Sequence, residues 1–412
     1  MAKFSSDRFP PGFFDLPQSA GETLPRDIIA EWTRSAQTRD VARAILAPRT
    51  LRGIIVSSDA AGLTRITRER SLIDILAMLS HPKELIHSHG RAIGGRSIGV
   101  WAADNTQMFY DADIPAQHVV SMLLKVMRRI GAECEVGIGM CAHSGSFYEL
   151  GGAIYGPDAD RVEPVAEEHT DGGELVVSET VWNAIGDASA FTVIPRDDLT
   201  SSYGRMLSVT DGPALEDLVA TDVNYPAPYS SGFGEDLSRY ARTRRDSLVP
   251  QQAHEELAVV YIQREREDTD IPEVAVLNDL SLAAAMKRIG QALIDGVDGA
   301  EVKTSGLIGI YTFANCNTAI AFARAFRDAL SAQRIDCRIG IDVGPVLVFE
   351  LAPGSREIAG SPVNIASKLS EDVGEFGRIQ MSDAVARSAG LKRERPTLTF
   401  NVAGLELRAY EL

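Results

Sequence analysis

Apolar positions along this chain fall into alternating short runs and helical stripes, and the same series is written twice. A continuous apolar run over 51–56 predicts a buried strand, and apolar spacing over 72–85 predicts a helix. A strand pair over 97–110, a helix over 116–130, a strand over 135–141, a helical stretch over 159–169 and a strand over 175–178 follow. A last strand over 205–209 closes the first series. The second series runs strand 257–262, helix 280–294, strands within 301–313, helix 318–333, strand 338–343, helix 363–371, strand 378–382 and closing strand 398–412. Gly156 and Gly360, Ser178 and Ser382, and Asp59 and Gln263 lie in similar surroundings, each pair 204 positions apart (360−156 for the first). A repeat of that length means two homologous domains rather than a solenoid of short units.

Punctuation divides the chain further. Prolines at 10, 11 and 17 exclude a regular helix or central strand there, so residues 1–48 read as a Pro-rich arm followed by a helix. The apolar stripe Ile28, Ile29, Trp32, Ala36, Val41 and Ile45 suits packing on the first domain or pairing with a second chain; packing within the chain is the simpler expectation. Residues 211–250 are rich in Pro, Ser, Gly and Asp and read as a linker. The expected plan is therefore arm 1–48, first domain 49–210, linker 211–250 and second domain 251–412. Strands and helices in this order suit an α+β domain, a sheet covered by helices of the ferredoxin-like kind.

Composition narrows the partners. Forty-one Lys and Arg against 57 Asp and Glu give a net charge of −16, which repels nucleic acid. Cys134, Cys141, Cys316 and Cys337 have neither CxxC spacing nor a His-rich neighbourhood, so they read as reduced thiols. The sequence has no apolar run of roughly 20 residues that would cross a bilayer, and its first residues lack an apolar signal core; a cytoplasmic protein is the expectation. His143 reads as a loop histidine with no acidic partner in the local sequence.

Three separated blocks carry a resemblance. Arg338-Ile-Gly-Ile-Asp-Val-Gly344, Gly360-Ser-Pro-Val-Asn-Ile-Ala-Ser-Lys-Leu369 and Gly377-Arg-Ile-Gln-Met-Ser382 together resemble the catalytic domain of class III nucleotide cyclases. Val136-Gly-Ile-Gly139, Gly156-Pro-Asp-Ala-Asp160 and Gly173-Glu-Leu-Val-Val-Ser178 are a weaker version of the same blocks in the first copy. The resemblance implies two ferredoxin-like domains forming a pseudo-two-fold heterodimer within one chain. It also implies conversion of a nucleoside triphosphate, ATP first and UTP or GTP next, to a 3′,5′-cyclic nucleotide and pyrophosphate with two Mg²⁺ or Mn²⁺ ions.

Roles follow from the resemblance position by position. Asp59-Ala-Ala-Gly-Leu-Thr64 is similar to the family's strand-to-helix turn, making Asp59 the first metal ligand and the amides of Ala60, Ala61, Gly62, Leu63 and Thr64 a triphosphate cradle. Asp104, six residues before Tyr110, fits the second metal position, although a strict 204-residue count selects Ala103. The second copy carries Gln263 and Leu307 at the two metal positions. It carries instead Lys303 and Glu357 for the base, Asn364 for the ribose and Lys368, replacing an arginine, for the phosphate. The first copy has Asp160 and Pro164 at the last two positions, so the chain holds at most one working pocket. A nucleotide-binding pseudo-enzyme and an interaction scaffold, recruiting a protein through the arm, stand as the alternatives.

Overall fold

The computed structural model describes residues 4–15, 24–62, 70, 72–98, 105–215, 217–221, 237, 239–240, 243, 254–267, 269–352, 355–391, 396, 398–402 and 405–412. It divides into two compact units, one of Pro48–Pro250 and one of Met1–Ala47 with Gln251–Leu412.

The first unit runs β1 (Thr50–Ala60), α3 (Leu72–Ala92), β2 (Arg96–Ser97), β3 (Thr106–Asp111), α4 (Ala116–Glu133), β4 (Ile138–Leu150), β5 (Ala153–Tyr155), α5 (Val162–Glu168), β6 (Leu175–Ser178), α6 (Glu179–Asn183), β7 (Thr192–Pro195), α7 (Thr200–Tyr203) and β8 (Met206–Asp211). Its eight-stranded mixed sheet has the order β2-β3-β1-β4-β6-β8-β7, with β5 paired to β4. Strand β1 pairs antiparallel with β3 and β4, while β4 and β6 are parallel. Central placement explains why 53–58 are buried in succession: both faces of β1 are covered. Residues from α3 and α4, including Leu79, Val119, Leu123 and Met127, pack on one of those faces.

The second unit repeats the plan with β9 (His254–Arg264), α8 (Pro272–Ile294), β10 (Gly299–Ser305), β11 (Ile308–Phe313), α9 (Cys316–Ala332), β12 (Cys337–Ala352), β13 (Ser355–Ala359), α10 (Ser361–Glu371), β14 (Ile379–Ser382), α11 (Asp383–Ser388), β15 (Leu398–Val402) and β16 (Leu405–Glu411). The order β10-β11-β9-β12-β14-β16-β15, with β13 on β12, is strand for strand that of the first sheet. The fold is thus α+β and duplicated, two ferredoxin-type sheets in one chain. Helix α10 lies directly on β12, because a Cβ at Gly340 would come within 1.9 Å of the Ala366 carbonyl oxygen.

Helices α1 (Arg26–Thr33) and α2 (Arg39–Leu46) of the arm pack on α8 of the second copy, whereas the stripe suggested the first domain or a second chain. Trp32 is fully buried and its indole Nε1 donates to Asn278 Oδ1 at 3.0 Å. That hydrogen bond removes the penalty of burying both polar groups. The Arg288 guanidinium stacks 4.9 Å from the Phe13 ring and donates to the Gly12 carbonyl at 2.9 Å, and Arg43 pairs with Glu273 at 2.9 Å. Phe4, Phe9, Phe13 and Phe14 pack edge-to-face and tilted on one another, which orders the proline-bearing segment without a regular element.

The described parts of the expected linker are not all solvated. Leu215 and Leu218 lie on the first core, and Tyr240 donates to Asp74 at 2.6 Å. No described helix is long and apolar enough to cross a membrane.

Candidate functional site

Asp59 stands at the end of β1, half-buried, in register with Gly139 of β4. A Cβ at Gly139 would collide with the Thr170 hydroxyl at 1.9 Å, so the strand opposite Asp59 has no side chain there. Ala60 is buried and still part of the ladder, opposite Ile138, and the Ala61 amide donates to the Gly137 carbonyl at 3.0 Å. The Ala61 amide, expected to face a triphosphate, is therefore committed to the sheet. Gly62 follows with φ of 72°, where glycine is favoured, and is exposed. Leu63, Thr64 and Asp104 lie outside the described residues.

The neighbouring strand β3 fixes the offset between the copies here. Ile54 pairs with Tyr110, and Ala258 pairs with Phe313; β1 and β9 are 204 apart, so β3 and β11 are 203 apart. Sheet register thus matches Tyr110 with Phe313, the pairing from which Asp104 was counted.

In the second copy the residue in the place of Asp59 is locked by hydrogen bonds. Gln263 Oε1 accepts from Arg338 Nε at 2.6 Å, and Gln263 Nε2 donates to Glu371 Oε1 at 3.3 Å. Tyr261 OH donates to the same carboxylate at 2.8 Å. Burial pushes the Glu371 carboxyl up, against the pull of the Tyr261 hydrogen bond. Arg338 also stacks 5.2 Å from the Phe376 ring. One residue on, the buried Arg264 pairs with Asp279 at 2.7 Å and donates to the carbonyls of Glu265, Asp279 and Gly306. Desolvation pulls its guanidinium down from the usual arginine range, and Asp279 opposes that pull. A guanidinium thus ties the end of β9, the β10–β11 turn and α8 together.

Lys303 and Glu357, 54 residues apart in sequence, meet across the second sheet. Lys303 comes from β10 and Glu357 from β13, with Nζ 3.8 Å from Oε2. That separation exceeds a hydrogen bond. Glu357 is buried, and its other oxygen accepts from the Ile358 amide at 3.1 Å. Desolvation pushes the Glu357 carboxyl up, while Lys303 and the amide pull it back toward ionisation. The pair presents a donor and an acceptor side by side.

Asn364 and Lys368 share a face of α10, four residues apart, which starts after Gly360 with Pro362 in its first turn. Asn364 is exposed; Lys368 is half-buried and 3.3 Å from Asp372. The first copy offers Asp160 and Pro164 in their place.

Among the described residues no group of three or more His, Cys, Asp or Glu is arranged to hold a metal ion. Asp59 supplies a hard carboxylate oxygen, the donor type Mg²⁺ and Mn²⁺ take, beside a strand position without a side chain. The donor chemistry at that one residue fits a divalent ion.

His143 was expected in a loop and lies instead on β4, buried, with Nε2 3.4 Å from Asp158 Oδ1, an ion-pair distance rather than an aligned hydrogen bond. The neighbouring imidazole, with the Ser146 amide, holds the Asp158 carboxyl below the usual range despite partial burial. Only folding brings the Gly156–Asp160 turn back over β4, so local sequence carried no sign of the pair.

No protein-family model and no curated protein matches the sequence. Among solved structures, a class III adenylyl cyclase-like ATP-binding protein from Pseudomonas aeruginosa matches over 82% of this chain and 85% of its own, with TM-score 0.53 and 12% identity. The adenylyl cyclase CyaB from P. aeruginosa matches over 39% of this chain and 95% of its own (TM-score 0.33, 18% identity). A guanylyl cyclase domain of the RhoGC fusion protein from Blastocladiella emersonii matches over 40% and 98% (TM-score 0.33, 17% identity). Taken with the two strand-for-strand sheets, the first of these matches establishes that this chain carries the class III nucleotide-cyclase fold in tandem.

Proposed function

We propose that the chain is a nucleotide cyclase of the class III type with divided labour. The first copy holds metal through Asp59 and Asp104; the second reads the nucleotide through Lys303, Glu357, Asn364 and Lys368. The observation that carries this reading is the Lys303–Glu357 pair, brought to 3.8 Å from separate elements. A half-buried lysine and a buried carboxylate that do not close on each other keep hydrogen-bonding capacity for a third group. A base edge with an acceptor beside an N–H donor fits: adenine does so by its ring nitrogen and exocyclic amine, uracil and guanine by a carbonyl beside a ring N–H.

In the proposed reaction the ribose 3′-hydroxyl attacks the α-phosphorus, the bond to the β-phosphate oxygen breaks, and pyrophosphate leaves with its electron pair. Bound divalent ions supply charge neutralisation at the attacking and leaving oxygens. Asn364 orients the ribose so that the hydroxyl lies in line, and Lys368 offsets charge on the phosphate. Lysine lacks the planar fork of an arginine and already faces Asp372, which predicts modest turnover.

A second reading, binding without turnover, is favoured by one comparison: the similar tandem protein of P. aeruginosa is described as cyclase-like and ATP-binding. Incubation with ATP, GTP, UTP or CTP plus Mn²⁺, analysed by mass spectrometry, separates the two. A cyclic product that disappears in Asp59→Ala supports the first. Calorimetric binding with no cyclic product from any triphosphate supports the second. Unchanged thermal stability with all four rejects both, because a ligand selective for the folded state raises apparent stability.

A further inference from the structure

The second unit contains a cavity of about 530 Å³ apart from the Lys303–Glu357 pair. Its size lies in the range of small-molecule pockets, ~300–1,000 Å³. Asp342 of β12 contributes a carboxyl to the lining and is itself buried. Ser382 donates to its Oδ1, and the Val343 amide also faces it. Among the described residues no cation is paired with Asp342, so its ionised form is supported only by those two hydrogen bonds. Apolar walls come from Pro345 and from Pro362, Ile365 and Leu369 of α10. Among the described lining residues the arginines are already paired: Arg387 with Asp383 at 3.2 Å and Arg408 with Glu406 at 3.3 Å. Among the described lining residues three acids stand against two arginines.

We propose that this cavity binds a small organic monocation, an amine or amidinium on an apolar body, with its N–H groups on Asp342 and its body against α10. The cation supplies the counter-charge that Asp342 lacks, and the prolines and aliphatic side chains take up the apolar part. The proposal is independent of the cyclase reading. It does bear on it structurally, because α10 also carries Asn364 and Lys368.

Benzamidine serves as the probe, with benzamide as its neutral and benzoate as its anionic counterpart, each titrated calorimetrically into the full chain at pH 7.5. Benzamidine is expected to bind at least about tenfold more tightly than either, since a hydrogen bond to a charged group outweighs a neutral one. Asp342→Asn, which keeps the shape and removes the charge, is expected to erase that preference. Ala384→Trp fills the cavity from α11 without touching the carboxyl, and is expected to abolish binding even if the first variant fails to fold. Preference for benzoate, benzamidine binding unchanged in Ala384→Trp, or no binding of any probe overturns the proposal.

Discussion

The two copies differ most where they are most alike in register. Asp59 ends β1 opposite Gly139, and Gln263 occupies the same place on β9 opposite Arg338. In the first copy the facing strand position carries no side chain, the Thr170 hydroxyl takes that place, and a carboxylate stands beside it. In the second the facing strand position carries an arginine, and the neutral amide is held between Arg338 and Glu371. On the proposed reading, an amide at this position removes a metal ligand, and Arg338 ties that amide into the sheet. Arg264 extends the same logic, a buried guanidinium where the first copy has Ala60. What separates the copies at this edge is therefore a carboxylate beside a bare strand position in one and an amide bonded to a guanidinium in the other.

Breaking the contrast from the first side has the largest expected effect. Asp59→Ala lowers cyclic product on the order of a thousandfold, measured by mass spectrometry at saturating Mn²⁺. Lys303→Met acts on recognition: KM for the triphosphate rises about ten- to a hundredfold, with a smaller change in kcat. On the other side, Gln263→Ala leaves product formation intact and costs about 1–2 kcal/mol of stability in denaturant unfolding, through two lost hydrogen bonds. Gln263→Asp sharpens the point, since the new carboxylate pairs with Arg338 and Mn²⁺ calorimetry gains no second-copy site.

Acid gives the smallest and most discriminating test. The register of β4 with β6 and of β12 with β14 places His143 and Asp342 at equivalent positions. Burial pushes the Asp342 carboxyl up to about 6 from 3.8, so the folded state holds the extra proton between those values. Stability of the second unit therefore falls as pH rises from 3.8 through 6, and Asp342→Asn removes that slope. Asp158 is shifted the opposite way by His143, so its contribution is present above 3.8 and lost as pH falls below it. Thermal unfolding of wild type and Asp342→Asn from pH 4 to 7 reads the first slope; Asp158→Asn reads the second toward pH 3.

Much of this was legible in the sequence for a physical reason. Helix and strand periods survive duplication because each copy must bury its own core, and the blocks around Gly360 and Ser382 kept their spacing to Gly156 and Ser178. The Gly139–Arg338 exchange was not legible. Strand β12 is 16 residues against 13 for β4, and β13 is 5 against 3 for β5, so the hairpin absorbs five residues. The offset between β4 and β12 is accordingly 199, and a constant count of 204 sets the wrong residues side by side. Register corrects it, and register depends on partners distant in sequence. Lys303 and Glu357 were assigned through motif resemblance, but their approach is a property of the sheet. The arm was misplaced for the converse reason: an apolar stripe says that a face is covered and not by what.

Because α1 and α2 rest on α8, the second unit is assembled from both ends of the sequence with the first unit spliced between them. On the ribosome the phenylalanine-rich segment emerges ahead of the first unit and can reach its berth only after α8, more than 200 residues later, has been synthesised. The residues of the first unit, Pro48–Pro250, are all made before then. Birth order and completion order are thus reversed for the leading segment, and its apolar face stays exposed throughout the interval, a natural point for a chaperone to act.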